Sequence, residues 1–250
     1  MMIKCLSLSP YQFTADMEEK IKRDEIAGMF DRIAWRYDFL NHFLSLGTDI
    51  WWRRRAITAI SRLINPTRIL DVATGTADMA IASLRLNPDT VIGIDISPKM
   101  LEHGRQKLLK KKVAGKIKLI QAPSEAIPFP DGSFDVSMSS FGVRNFSDVD
   151  KGLSEMYRIL REGGVVMVLE FSKPSGFPFK QIYNLYFKSV LPLLGRLFSH
   201  DRSAYMYLPD SVSRFPQGEE FLTRLLAAGF KFPDQKRLSG GVATIYTAVK

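Results

Sequence analysis

Apolar and polar positions along this chain follow two rhythms, and the switching between them sets the reading. Between Arg68 and Ser172 stand five short apolar runs: "RILDVA", "TVIGIDI", "IKLIQA", "FDVSMSSF" and "GVVMVLEFS". Short runs rich in Val and Ile, bounded by polar turns, read as buried strands. Between them lie segments with helical spacing near 78–86, 98–111 and 147–161. Ser97-Pro98 opens the second of these as an N-cap followed by proline at the first helical position. Strands alternating with helices predict an α/β fold of Rossmann-like kind, a mostly parallel sheet covered by helices on both faces.

The flanks change the rhythm. Upstream, Ile26, Phe30, Ile33 and Tyr37 recur at helical spacing within 19–45, and a second helix is expected from Trp51 to Leu63, before Asn65-Pro66. Residues 1–20 are polar and irregular and are expected to be a mobile N-terminal segment; 21–250 read as one domain. After Ser172 the alternation breaks, and about 173–215, rich in aromatics, prolines and mixed charge, reads as a helical lid insertion. A last helix near 216–228 precedes "KFPDQKRLS" and "VATIYTAVK", two strand-like runs around Gly240-Gly241 that would close the sheet as a hairpin and bring it to seven strands.

Composition narrows the chemistry. Of 250 residues, 46% are hydrophobic and 24% charged, as in ordinary globular proteins. The single cysteine, Cys5, excludes an internal disulfide framework and fits a reducing, cytoplasmic compartment. Three scattered histidines (His42, His103 and His200) give no metal-ligand cluster, so no metal is expected. The net charge of +9 opens two sharper readings, nucleic acid or an anionic membrane surface, with basic clusters in "WWRRR" and "KLLKKK". Without zinc-finger spacing or an aromatic RNA-binding strand, nucleic acid is not expected as a partner. The most apolar stretch, Ile182 to Phe198, carries Lys188 and Arg196 and is interrupted by Pro192, so no membrane-spanning helix is expected.

The candidate site lies in "RILDVATGTADMAIA", Arg68 to Ala82, where the first strand runs into its turn. In an open parallel sheet, ligands sit at the carboxyl ends of strands where strand order reverses. The turn carries one glycine, Gly75, in place of G-x-G-x-x-G or a P-loop, so it allows close backbone approach without a pyrophosphate cradle. Asp95 ends the next strand, twenty positions after Gly75, where a carboxylate accepts hydrogen bonds from both ribose hydroxyls. A nucleoside ligand follows from the two features together.

With "QAPSEAIPFPDGSFD" after the third strand and "SSFGVRN" ending the fourth, these blocks resemble the class I S-adenosylmethionine-dependent methyltransferases. Two further stretches, "YDFLNHFLSLGTDIWWRR" and "YRILREGGVVMVLEFS", are similar to the two signatures of the quinone-biosynthesis C-methyltransferases, as are "FGVRN" and "SAYMYLPDSVSRFP"; the resemblance spans roughly 22–250. It implies transfer of a methyl group from S-adenosyl-L-methionine to a ring carbon of demethylmenaquinol, with the ubiquinone precursor, a polyprenyl benzoquinol, as the alternative or additional acceptor. It also implies a polyprenyl quinol substrate, peripheral membrane contact on the inner face, and leaves a homodimer open.

The resemblance assigns roles by position. Thr74 and Gly75 would contact the cofactor, Asp95 its ribose, Pro123 and Ser124 its adenine, and Ser140 its methionine part. Many relatives carry Asp or Asn where this chain has Pro123, so adenine is to be read by backbone groups or by Ser124. Relatives also often carry Met at Phe39 or Leu40, and His where Asp49 and Ile50 stand. Asp71 would fix the turn or, through water, the methionine amino group. A reduced quinol ring carbon is nucleophilic and the sulfonium methyl is already activated, so the protein needs only alignment, a dry pocket and help with one proton. Arg144 would stabilise a phenolate or orient a water, Asn145 would orient the same water, and Tyr37 would hydrogen-bond a quinol oxygen.

Overall fold

The computed structural model describes residues 17, 18, 20–34, 45, 47–185 and 209–250, with the backbone alone at 182 and 184. The expected runs become seven strands: β1 (Arg68–Val72), β2 (Thr90–Asp95), β3 (Ile117–Gln121), β4 (Phe134–Ser140), β5 (Leu160–Phe171), β6 (Lys231–Leu238) and β7 (Ala243–Val249). They form one sheet in the order β3-β2-β1-β4-β5-β7-β6. The first five are mutually parallel; β7 runs antiparallel to β5, and β6 antiparallel to β7, as the hairpin around Gly240-Gly241 requires.

Both faces of the sheet are covered, which is why the strands read as continuous apolar runs. Side chains alternate across the sheet plane. Ile69, Val136, Met138, Val165, Met167 and Leu169 join one buried cluster, whereas Leu70, Val72, Val166 and Val168 join the other. The first cluster is closed by α2 (Thr48–Ser61), α3 (Asp78–Ser83) and α4 (Pro98–Lys110), through Trp52, Ile60, Met79 and Leu108. The second is closed by α5 (Val149–Arg158) and α7 (Glu219–Ala227), through Leu153, Met156, Phe221 and Leu225. Ser97 caps α4, its hydroxyl accepting from the Met100 amide at 3.1 Å, with Pro98 at the first position.

Element ends depart from expectation in places. The helix expected over 147–161 stops at Arg158, and β5 begins at Leu160, four residues before the apolar run. A register shift between Phe134 and Val136 absorbs the Glu162–Gly164 stretch, where Gly163 takes φ 73°. The second helix starts at Thr48 instead of Trp51, behind Gly47 in the left-handed region. Upstream, a helix designated α1 covers 20–34. Of the expected lid, 173–185 and 209–215 are described, including α6 (Phe179–Leu185); the rest of it, with Tyr37, His42 and His200, lies outside the described residues. Among the described residues no helix is long and apolar enough to cross a membrane, and no group of acidic, His or Cys side chains could hold a metal ion.

Candidate active site

Strand order reverses between β1 and β4. The chain leaves β1 toward β2 and leaves β4 toward β5, which opens the sheet at their carboxyl ends. The turn after β1 is sharp: Ala73, Gly75 and Ala77 all have positive φ, at 55°, 55° and 70°. A left-handed conformation is strained for alanine, and hydrogen bonds hold it in place. The Thr74 amide donates to the Ile94 carbonyl at 2.9 Å, and the Ala77 amide to the Thr74 carbonyl at 2.9 Å. The Thr74 hydroxyl donates to Asp71 at 2.6 Å. Asp95 braces the same turn from β2, one oxygen accepting from the Gly75 amide at 2.8 Å and the other from the Ser97 amide at 2.9 Å.

Two cavities meet at this turn. A cleft of about 560 Å³ is lined by Gly75, Asp95, Met100, Ala122, Ser124 and Asn145, and α1 covers it with Arg23, Ile26 and Phe30. A second cavity, of about 350 Å³, is lined by Arg53, Asp71, Thr74, Asp78 and Ser140. Ala73, Gly75 and Phe141 belong to both walls. Between them the ends of β1 and β4 touch: a Cβ on Gly142 would sit 2.7 Å from the Ala73 Cβ, so only glycine lets the two turns close up. α1 is tied down at both ends of the cleft. Asp31 accepts from the Ser97 hydroxyl at 2.5 Å, and Lys22 donates to the Ser147 carbonyl at 2.6 Å.

The electrostatics of the two walls are unusual for carboxylates. Burial pushes Asp71 up to about 7; the Thr74 hydroxyl offsets part of this, and the Asp95 charge adds to it. Burial pushes Asp95 up to about 6 against the Ser97 and Gly75 amides, with Asp31 raising it further. Asp71 Oδ1 and Ser140 Oγ are buried with no hydrogen-bond partner among the described residues. Buried polar atoms are nearly always paired, so orphans gathered round one cavity mark a place where a ligand completes them.

Most of the expected site residues come together here: Thr74, Gly75, Asp95, Ser124 and Asn145 at the cleft or its wall, Asp71 and Ser140 at the second cavity. Pro123 does not line the cleft; its neighbours Ala122 and Ser124 do. Arg144 does not line it either. Its guanidinium pairs with Glu170 at 2.9 Å, donates to the Phe141 carbonyl and lies 5.3 Å from the Phe171 ring centroid, while its amide donates to Glu170 at 3.2 Å. Tyr37 lies outside the described residues. Sequence reasoning missed Glu170, Arg53 and Asp31. Glu170 had a signal, a lone acid ending the apolar run "VVMVLE". Arg53 was legible only as one of three consecutive arginines, and Asp31 had no signal.

The residues present suit S-adenosyl-L-methionine. A carboxylate at the end of β2, a turn with a single glycine and an apolar wall of Ile96, Met100 and Ala122 suit a nucleoside without phosphates. Orphan acceptors beyond the turn suit an amino acid. An open, mostly parallel seven-stranded sheet carrying this cleft at its switch point defines a class I S-adenosylmethionine-dependent methyltransferase. A SAM-dependent methyltransferase of Thermotoga maritima has the same fold, with a TM-score of 0.61 at 20% identity over 90% of this chain and 99% of that one. The chain belongs to the ubiE/COQ5 methyltransferase family, which it matches over residues 17–250. Among its relatives, a demethylmenaquinone methyltransferase of Bacteroides fragilis is 46% identical over 230 residues, 92% of this chain and 94% of that protein. A ubiquinone/menaquinone biosynthesis C-methyltransferase UbiE of Geotalea daltonii is 48% identical over 231 residues, 92% of this chain and 97% of that one.

Proposed function

We propose that the protein methylates a ring carbon of demethylmenaquinol, giving menaquinol. The observation that carries this reading is the meeting of three separate motifs beside the cleft. Trp52 of "WWRR" lies 6.0 Å from Phe141 of "FGVRN" and 5.9 Å from Phe171 of "LEFS", and Phe141 stacks on Phe171 at 4.4 Å. Of the three rings Phe141 lines the cleft, and Trp52 and Phe171 pack behind it, so the three motifs together fix the position of one apolar wall. The names of relatives at 46–48% identity support the same substrate class.

S-adenosyl-L-methionine, when bound, supplies an electrophilic methyl on a sulfonium. Methylation at a ring carbon would leave that carbon one proton to lose, and help with that proton is what the protein's residues have to supply. A guanidinium is a hydrogen-bond donor with no acceptor, so Arg144 is not the base that takes that proton. Its pairing with Glu170 fixes the 141–145 turn, which places Asn145 in the cleft wall. We assign proton handling to a water oriented by Asn145 and Tyr37, with Arg144 supporting the turn through its pairing with Glu170. Contact with an anionic membrane surface belongs to the same reading: Phe177 is 84% exposed and Leu185 64% exposed, with Lys180 between them.

The test is transfer of labelled methyl to chemically reduced demethylmenaquinol, with the monocyclic polyprenyl benzoquinol in parallel. Product from the bicyclic quinol is expected. Product from both would add the second acceptor, as the name of the Geotalea relative suggests. Product from neither, with S-adenosylhomocysteine still bound, would remove the quinol reading.

A further inference from the structure

We propose that Ser239, in the turn between β6 and β7, is a positioning residue for the methyl transfer: through the Trp52 indole it holds Phe141, whose ring walls the cleft and whose carbonyl holds Asn145. This rests on the acceptor reading above. It extends that reading to a residue that lines neither cavity and belongs to none of the three motifs.

Phe141 and Ser239 both hold a left-handed backbone that their side chains do not favour, with φ 59° and 47°. A bulky residue stays in that conformation only where its surroundings over-determine it. Around Phe141 those surroundings are complete. Its amide donates to the Leu169 carbonyl at 2.7 Å, and its ring stacks on Phe171 at 4.4 Å with Trp52 against it at 6.0 Å. Its carbonyl accepts from the Arg144 guanidinium and, at 3.3 Å, from the Asn145 side-chain amide. One residue therefore sets both the apolar wall and the polar side chain assigned to the proton, and whatever fixes Phe141 fixes both.

Trp52 is the movable part of that surround. It is buried, and an indole has a single N–H, which donates to the Ser239 hydroxyl at 2.9 Å from 187 positions away. A buried N–H left without an acceptor is costly, so this one bond selects the orientation of the ring. Ser239 is a firm anchor because its turn is braced. The Ser172 hydroxyl donates to the Gly241 carbonyl at 2.8 Å. Phe179 of α6 lies flat against Gly240, where an added Cβ would stand 2.2 Å from the ring. Gly240 and Gly241 take φ 65° and 100°, which glycine adopts freely; Ser239 takes the same hand at a cost, and its hydroxyl meets the indole.

The experiment is a double-variant cycle on kcat/KM for transfer of labelled methyl to reduced demethylmenaquinol, with S-adenosylhomocysteine binding followed by titration calorimetry. Ser239→Gly suits the left-handed turn and removes the acceptor; Trp52→Phe keeps an aromatic ring and removes the donor. Each is expected to lower kcat/KM roughly 3- to 10-fold, the size of one hydrogen bond, and the double variant to fall no further than the singles. S-adenosylhomocysteine affinity is expected to stay within about threefold in all three, because Gly75 and Asp95 hold each other on a separate turn. Retained binding also shows that each variant is folded. Three results overturn the inference and leave the acceptor reading standing: losses that multiply in the double variant, no loss in either single, or S-adenosylhomocysteine affinity falling as far as kcat/KM. No product from the unsubstituted protein overturns both.

Discussion

The two edges of the sheet treat buried carboxylates in opposite ways. At the amino edge, Asp135 of β4 accepts from the Thr67 amide at 2.6 Å, the Thr67 hydroxyl at 2.8 Å and the Arg68 amide at 2.8 Å, and pairs with Arg161 at 2.5 Å. Burial pushes its pKa up, but these donors together outweigh burial and hold it below the ordinary value. At the carboxyl edge, Asp71 of β1 has the Thr74 hydroxyl on one oxygen and, among the described residues, no hydrogen-bond partner on the other; burial outweighs the Thr74 and Ala80 donors that oppose it. The lesson is one of donor count. The amino edge spends its acceptors on folding. The carboxyl edge withholds them, and a ligand supplies the missing donors.

The largest expected effect tests the exception on the carboxyl edge, where Glu170 is fully buried and answered by Arg144. Arg144→Met leaves that charge without its cation and is expected to cost about 3–5 kcal/mol in urea unfolding. A loss under about 1 kcal/mol would show that Glu170 does not depend on the pair. Next, Asp95→Ala removes the carboxylate that braces the turn and faces the cleft. S-adenosylhomocysteine affinity is expected to fall about 100-fold or more, since two charge-assisted bonds or their equivalents are lost. Asp135→Ala should do the reverse: about 2 kcal/mol of stability lost, because backbone donors at Thr67 and Arg68 are orphaned, with S-adenosylhomocysteine affinity unchanged within about twofold. If affinity falls as far as stability, the two edges are not separate.

The most gradual effect is a slope. Asp71 has a folded pKa of about 7 against 3.8 for an ordinary aspartate, so across that interval the native chain keeps a proton that the unfolded chain has released. Stability of the ligand-free protein is therefore expected to fall as pH rises from about 4 to 7, and to flatten above. Asp71→Asn should remove most of that slope in thermal melts taken at intervals of pH. A variant whose slope matches the parent would place the titration elsewhere, with Asp95 as the nearest alternative. An ammonium seated beside Asp71 favours its ionised form, so S-adenosylhomocysteine should bind more tightly toward pH 8, by no more than about tenfold per pH unit. 5′-Methylthioadenosine, the same nucleoside thioether without the amino acid, should not follow.

Much of the fold was readable because it is local. Each parallel strand is buried on both faces, so its apolar run stands out, and the Ser97-Pro98 cap announces α4. The nucleoside half of the site was readable for the same reason, since Gly75 and Asp95 are ends of consecutive strands joined by one crossover. What escaped depends on pairing across the chain. Glu170 answers Arg144 from 26 positions away, and Asp31 reaches Ser97 from 66 positions away. No local pattern marks either pair. Asp95 was readable as an acceptor, but that its oxygens also hold the Gly75 and Ser97 amides became visible only when β1 and β2 lay side by side.

The contact between Gly142 and Ala73 gives these two positions a shared dimension. They are 69 residues apart by numbering, yet a methyl added to one would strike the methyl of the other at 2.7 Å. Both set how far β1 and β4 stand apart where the cavities join. In a programme of directed evolution toward bulkier acceptors, side chains facing the cleft can be varied one at a time. Position 142 cannot: an added methyl would stand 2.7 Å from the Ser139 hydroxyl as well as from the Ala73 methyl, so enlarging it asks both turns to move together. Libraries built around this pair will record intolerance to substitution as loss of activity, although its origin is the spacing of the sheet.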